Sequence, residues 1–154
     1  MLSAAWYGLI WISSSRPGSD EPTSVAWQVL SNSAHAPLFG LWAAWLSLLA
    51  PRSGGWPDLR TGVRRGVLVA VAAGGLLDEL HQHLWSRGRD FSVLDILTDL
   101  VGAVLALRLV ELVGDEHATD RRWLAALALA ALGSFAAGAC ATFVPRCFPG
   151  VGWL

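Results

Sequence analysis

The chain contains no lysine; all eleven of its basic residues are arginine, which removes the Schiff-base amine from the chemistries open to it. Charge of either sign is scarce. Only 15% of residues are charged and the formal net charge is -1, so there is no broad basic surface for nucleic acid. Cysteine is nearly absent too. Cys140 and Cys147 are too few for a disulfide framework and read as two free apolar thiols. The opening residues, MLSAAWYGLIWI, lack a basic n-region and a small-residue cleavage site, which argues against a removed signal peptide and for a retained first span. No internal repeat is visible, and that weakens a transporter reading.

What is abundant is apolar. Hydrophobic residues make up 54% of the chain and the mean hydropathy is +0.48, both displaced from soluble averages toward membrane proteins. Five apolar runs, at about 2–15, 34–50, 63–85, 92–113 and 123–144, predict an all-α, polytopic helix bundle in a single domain. The first run is short, about 20 Å at 1.5 Å per residue against a ~30 Å core. In the second, Pro37 belongs to the first turn or makes a kink, and the preceding AWQVL lies along the interface with Trp27 as anchor. Gly62, Gly66, Ala70 and Gly74 form a small-residue ladder on the third, of the kind that lets helix backbones approach in lipid or supports a homo-oligomer. Ala126, Ala130, Ser134, Gly138 and Thr142 mark the fifth as a packing helix.

Arginine counting orients the bundle. Arg52, Arg60, Arg64, Arg65, Arg108, Arg121 and Arg122 lie on one side, and Arg16, Arg87, Arg89 and Arg146 on the other. The former side is expected to be cytoplasmic, with the N-terminus inside and the C-terminus outside. The end of run one, the start of run two, the end of run three and the start of run four then share the outer face. Every notable polar residue falls at one of those ends: Ser14 and Ser15, then His35, then Asp78, Glu79 and Gln82, then Arg89, Ser92, Asp95 and Asp99. Ionisable groups inside apolar runs are costly unless they face a bundle interior, a wet cavity or a partner, so these residues are the address of function.

The stretch from Asp78 to Gly102 resembles the VanZ-like family of small bacterial membrane proteins, associated with teicoplanin resistance. The resemblance rests on Asp78, Glu79, Gln82, Gly88, Arg89, Ser92, Asp95, Asp99 and Gly102, in order and spacing, with Ser14, Ser15, Pro17 and His35 as weaker signals. It covers about residues 4–107. Asn32 stands where the family commonly has lysine, Arg87 where a proline precedes the Gly-Arg, and a fifth span follows the four-helix core. The resemblance implies a cell-envelope protein of the bacterial inner membrane, without naming a reaction.

From the residue types, Asp78 and Glu79 are candidate acid/base groups with pKa values raised by burial, and Arg89 a clamp for a phosphate or carboxylate. Gln82, His35, Asp95, Asp99, Ser92, Ser14 and Ser15 would complete a ligand shell. The expected ligand is a lipid-linked or phosphate-bearing envelope component, with membrane lipids as neighbours. The alternative is a non-catalytic scaffold in which Arg89 and the carboxylates only lock the helices together. No cofactor is implied. Metal is disfavoured because His81 and His83, two residues apart, point to nearly opposite faces of a helix.

Overall fold

The computed structural model describes residues 1–15, 24–85 and 91–147. Among them five helices account for the fold: α1 (Leu2–Ser14), α2 (Val25–Ser47), α3 (Thr61–Trp85), α4 (Val93–Val113) and α5 (Asp120–Cys147). The protein is therefore all-α. A two-stranded hairpin, β1 (Arg52–Ser53) with β2 (Trp56–Pro57), interrupts the connection between α2 and α3. Its turn uses Gly54 and Gly55 at φ 61° and 83°, the doubly left-handed geometry of a tight hairpin that glycine adopts without steric cost. The punctuation of this loop was legible; the hairpin was not.

Helix α2 differs from the expectation at its start. It begins at Val25, capped by the Ser24 side chain, which accepts from the Trp27 N–H at 3.2 Å. AWQVL is thus the first turn of α2, continuous with the apolar run, and Pro37 lies mid-helix. The cap at Ser24 starts the helix before AWQVL, and the polar Ser31, Asn32 and Ser33 lie within it. Helix α5 is likewise longer than expected and runs past Pro145 to Cys147. Cys140 and Cys147 are free and exposed, two turns apart on one helix, about 10 Å of rise, beyond disulfide reach.

Helices α2 and α4 form the most extensive pair; α5 packs on both, α3 on α4 and α2, and α1 on α2 and α3. The α2–α4 crossing is close because two glycines meet there. A Cβ on Gly40 would lie 2.8 Å from the Gly102 carbonyl oxygen, and one on Gly102 would lie 2.6 Å from the Ala36 Cα. The ladder on α3 is used only at its upper end: Gly74 receives the rings of Tyr7 and Trp42, while Gly62 and Gly66 face open space. On α5, Gly138 admits Ser33 of α2, and Thr142 accepts a 3.0 Å hydrogen bond from Asn32.

Five spans were expected; of the described helices, α5 alone is long and apolar enough to cross a membrane, with a mean hydropathy of 2.0 over its most apolar window. The others fall short for identifiable reasons. Helix α1 has 13 residues, α2 carries Asn32 and His35, α3 carries Arg64, Arg65, Asp78 and Glu79, and α4 carries Asp95, Asp99, Arg108 and Glu111.

The core is small. Ile10, Phe39, Trp42, Ala43, Val67, Val71, Ala103 and Leu107 make one apolar cluster, with Trp42 stacked on Tyr7 at 4.5 Å. Tyr7 donates to the Gly74 carbonyl at 2.9 Å, Trp6 to the Leu38 carbonyl at 2.9 Å, and Trp42 to Ser3 at 3.1 Å. These bonds hang the short α1 on α2 and α3. Outside, the distribution is inverted: Leu9, Leu84, Leu124, Leu129, Leu132 and Phe135 are exposed, whereas Asp78, Glu79, Gln82, Thr98 and Asp99 are buried.

Candidate functional site

The buried polar groups assemble at the end of the bundle where α1 and α3 finish and α4 starts. Asp78 is the hub. Its Oδ1 accepts from the Ser14 hydroxyl of α1, and its Oδ2 accepts from Gln82 Nε2 at 2.7 Å, the four-residue spacing having placed both on one face of α3. Asp78 and Gln82 are each 1% exposed.

Glu79, one residue on, points roughly 100° away around the helix and does a different job. Its Oε2 accepts the Ser92 N–H at 2.8 Å, tying α3 to the start of α4, where a carboxylate is favoured by the unpaired N–H groups and the helix dipole. Ser92 is the cap of α4: its Oγ accepts from Asp95 N–H at 3.2 Å. Asp95 lies in the first turn and is buried.

One turn deeper, Asp99 Oδ1 meets His35 Nδ1 of α2 at 3.2 Å. Space for this carboxylate comes from α3, since a Cβ on Gly75 would lie 2.7 Å from Asp99 Oδ2. Gly75, next to the Gly62–Gly74 ladder, thus makes room for a buried acid. Beside Asp99, the Thr98 hydroxyl donates to the Leu94 carbonyl at 2.9 Å within its own helix.

A cleft of ≈ 190 Å³ opens onto this cluster between α1 and α2, with Ser13, Ser14, Ser31, His35 and Asp78 supplying its polar lining and Ile10, Leu38 and Phe39 its apolar wall. That volume suits several waters or the charged tip of a larger molecule, and falls below the size of a pocket for a whole drug-sized ligand. Ser31 was not singled out in the sequence, although its position four residues before His35 puts the two on one face of α2. Ser14 and His35 share the cleft but bond to different carboxylates, Asp78 and Asp99, so no Ser-His-acid relay is formed.

Of the site residues predicted from sequence, Ser14, His35, Asp78, Glu79, Gln82, Ser92, Asp95 and Asp99 all come together in this layer. Ser15 does not. It is exposed and donates to the Trp11 carbonyl of its own helix at 2.6 Å, because the residue after Ser14 points about 100° away from the bundle axis. Arg89, with Gly88, Arg87, Arg16 and Pro17, lies outside the described residues. His81 is stacked between Trp11, at 4.0 Å, and Trp85, at 5.7 Å, while His83 is exposed. Among the described residues no three His, Cys, Asp or Glu side chains converge to hold a metal ion.

A second polar cluster occupies the other end. Arg64 of α3 and Arg108 of α4 both donate to Glu111, and Arg122 of α5 reaches Asp115 at 2.5 Å. The i,i+3 spacing of Arg108 and Glu111 makes that pair readable from sequence, whereas Arg64 lies 47 residues from Glu111 and no local spacing signals it. The His117 N–H, and with it the Arg122 guanidinium, holds the Asp115 carboxyl below its ordinary range. Trp56 of the hairpin closes this end by donating to the Val110 carbonyl at 2.8 Å.

Scans of the chain against protein-family models, and searches of curated proteins and of solved structures, return no match.

Proposed function

We propose that this chain is a VanZ-like, multi-pass protein of the bacterial inner membrane that binds or acts on an anionic envelope component at the polar end of its bundle, with an effect on teicoplanin susceptibility. One observation carries the reading: Asp78, Glu79, Gln82 and Asp99 are each 1% exposed while leucines and phenylalanines cover the outside. In water this arrangement would place both classes on the wrong side. In a bilayer, apolar side chains face lipid and ionisable groups turn to the bundle interior. The arginine bias puts the Asp78 end at the outer leaflet.

At that end Asp78 faces the cleft and is the acid/base group. Glu79 and Ser92 hold the α3–α4 junction, His35 and Asp99 form the pair behind, and Arg89, from the sequence resemblance, holds the anion. A scaffold reading is favoured by a different observation. Asp78, Glu79 and Asp99 each hydrogen-bond across to another helix, which is what a structural lock would do.

Native mass spectrometry of the detergent-purified protein separates the two. The expected result is a co-purified phosphate-bearing envelope lipid or lipid-linked sugar on the wild type that is missing from Arg89→Gln at unchanged melting temperature. If the arginine is purely structural, its removal leaves buried charge unpaired at a cost of about 3–5 kcal/mol. Melting temperature and any phenotype then fall together, with no ligand seen on either form.

A further inference from the structure

The end of the molecule opposite the Asp78 site carries a second cleft, ≈ 430 Å³, between the last turns of α4 and the first turns of α5. Its two halves differ in chemistry. Arg108, Glu111, Asp115 and Arg122 line the mouth; Leu105, Ala125, Ala126 and Leu129 line the floor. Helices α4 and α5 run in opposite directions here, so Leu105 lies about 10 Å deeper than Leu112, and Leu129 about 10 Å deeper than Arg122, at 1.5 Å per residue. A charged mouth thus leads onto an apolar groove that follows the helix axes.

The four charged residues of the mouth balance one another, but the ion-pair network they belong to does not. Glu111 is shared by Arg108 and by Arg64, which lies behind the cleft, and Asp115 is bound by Arg122, leaving one guanidinium charge in excess in the hydrogen-bonded network. Donors are also left over. A guanidinium has five N–H groups, and Arg108 and Arg122 each commit Nη1 while their side chains stay 63% and 54% exposed. Long arginine stems with exposed heads are what an interfacial position selects.

We propose that this cleft holds one anionic phospholipid of the inner leaflet, its phosphate between Arg108 and Arg122 and one acyl chain along Leu105 and Leu129. A headgroup whose phosphodiester charge is not cancelled by a choline or amine supplies the net negative charge that the network lacks, and its two non-bridging oxygens suit guanidinium forks. The apolar floor distinguishes a lipid from a free phosphate, which would leave it empty. Occupancy would bridge α4 to α5 where the described residues between them form only a short turn. The proposal rests on the membrane reading above.

The test is a native mass spectrometric titration of the full chain in detergent with phosphatidylglycerol and, separately, phosphatidylcholine of the same acyl length. The expected result is a preference of about tenfold or more for phosphatidylglycerol, since each arginine near anionic lipid contributes roughly 1 kcal/mol. Arg108→Gln with Arg122→Gln should bring the two lipids to parity. Ala125→Trp, at an exposed position on the groove floor that leaves both arginines in the chain, should lower phosphatidylglycerol occupancy with helix content unchanged. Equal binding of the two lipids by the wild type, or undiminished preference in a folded variant of both kinds, overturns the site. Displacement of the bound lipid by about 10 mM inorganic phosphate, well above any lipid present, overturns the lipid assignment, because the apolar floor should make a bare anion a poor competitor. Alkaline carbonate extraction keeps the two failures apart. A chain retained in the membrane pellet without lipid preference rejects this cleft alone, whereas a chain released to the supernatant rejects the membrane reading and the cleft with it.

Discussion

Replacing Gly102 by alanine is expected to force α2 and α4 apart and to lower the melting temperature of the bundle sharply. The new Cβ would lie 2.6 Å from the Ala36 Cα and equally inside contact distance of the Ala36 carbonyl carbon, closer than real Cβ atoms approach other heavy atoms. These are backbone atoms, so no rotamer change relieves the clash; α2 and α4 must move apart along their most extensive interface. Overpacking typically costs about 1–3 kcal/mol, and a clash with backbone belongs at or above the upper end. Against a total stability of about 5–15 kcal/mol, a loss of about 3 kcal/mol leaves the chain mostly folded at 25 °C but should lower its melting temperature by roughly 6–12 °C. Gly66→Ala is the control. Nothing lies within 4 Å of that position, and the change should leave thermal melting in detergent unaltered or slightly raised. Equal melting of Gly102→Ala and wild type would mean that α2 and α4 do not cross here.

Asp78→Asn is expected to separate fold from function. Asparagine keeps the size of aspartate and retains an oxygen acceptor for Gln82 or Ser14, so the loss of stability should stay near the ~1 kcal/mol of one hydrogen bond. What is lost is a group able to exchange a proton in the cleft. Removing a general acid or base slows a reaction by about 10²–10⁴-fold, so under the proposed function any teicoplanin phenotype conferred by the wild type should vanish in the variant. The pair of readouts matters. Full function in a folded Asp78→Asn protein would take Asp78 out of the chemistry, and a parallel fall in melting temperature and phenotype would make it a structural lock.

Much of the site could be read from the chain because costly residues have few innocent explanations in apolar surroundings. Asp78 and Gln82 at helical spacing gave one face of α3, and the alternation of apolar runs brought four run ends to one level, where the structure unites eight of the ten predicted site residues. Ser15 failed by one position around the helix, and Arg89 lies outside the described residues. Helix existence was similarly legible. Boundaries were less so, since α2 begins at the Ser24 cap, about ten residues before the expected start, which puts Pro37 mid-helix where the first turn or a kink was expected.

Harder still were features that depend on which helices touch. Glycine positions announce small size but not the neighbour they serve: Gly75 clears space for Asp99, Gly102 meets Ala36, and Gly62 faces nothing. Asn32 finds Thr142 on α5, a pairing that only the packing of α2 on α5 reveals. Arg64 and Glu111 meet for the same reason.

The most direct test of the membrane-embedded site is the accessibility of its cleft. Ser31 is exposed and lines it, and Cys140 and Cys147 can be replaced by alanine to leave Ser31→Cys as the sole thiol. In intact cells a membrane-impermeant maleimide should modify this cysteine from the outside, and the envelope ligand, once bound, should slow the reaction. Modification only after the cytoplasmic face is opened would invert the bundle and remove the outer-leaflet site.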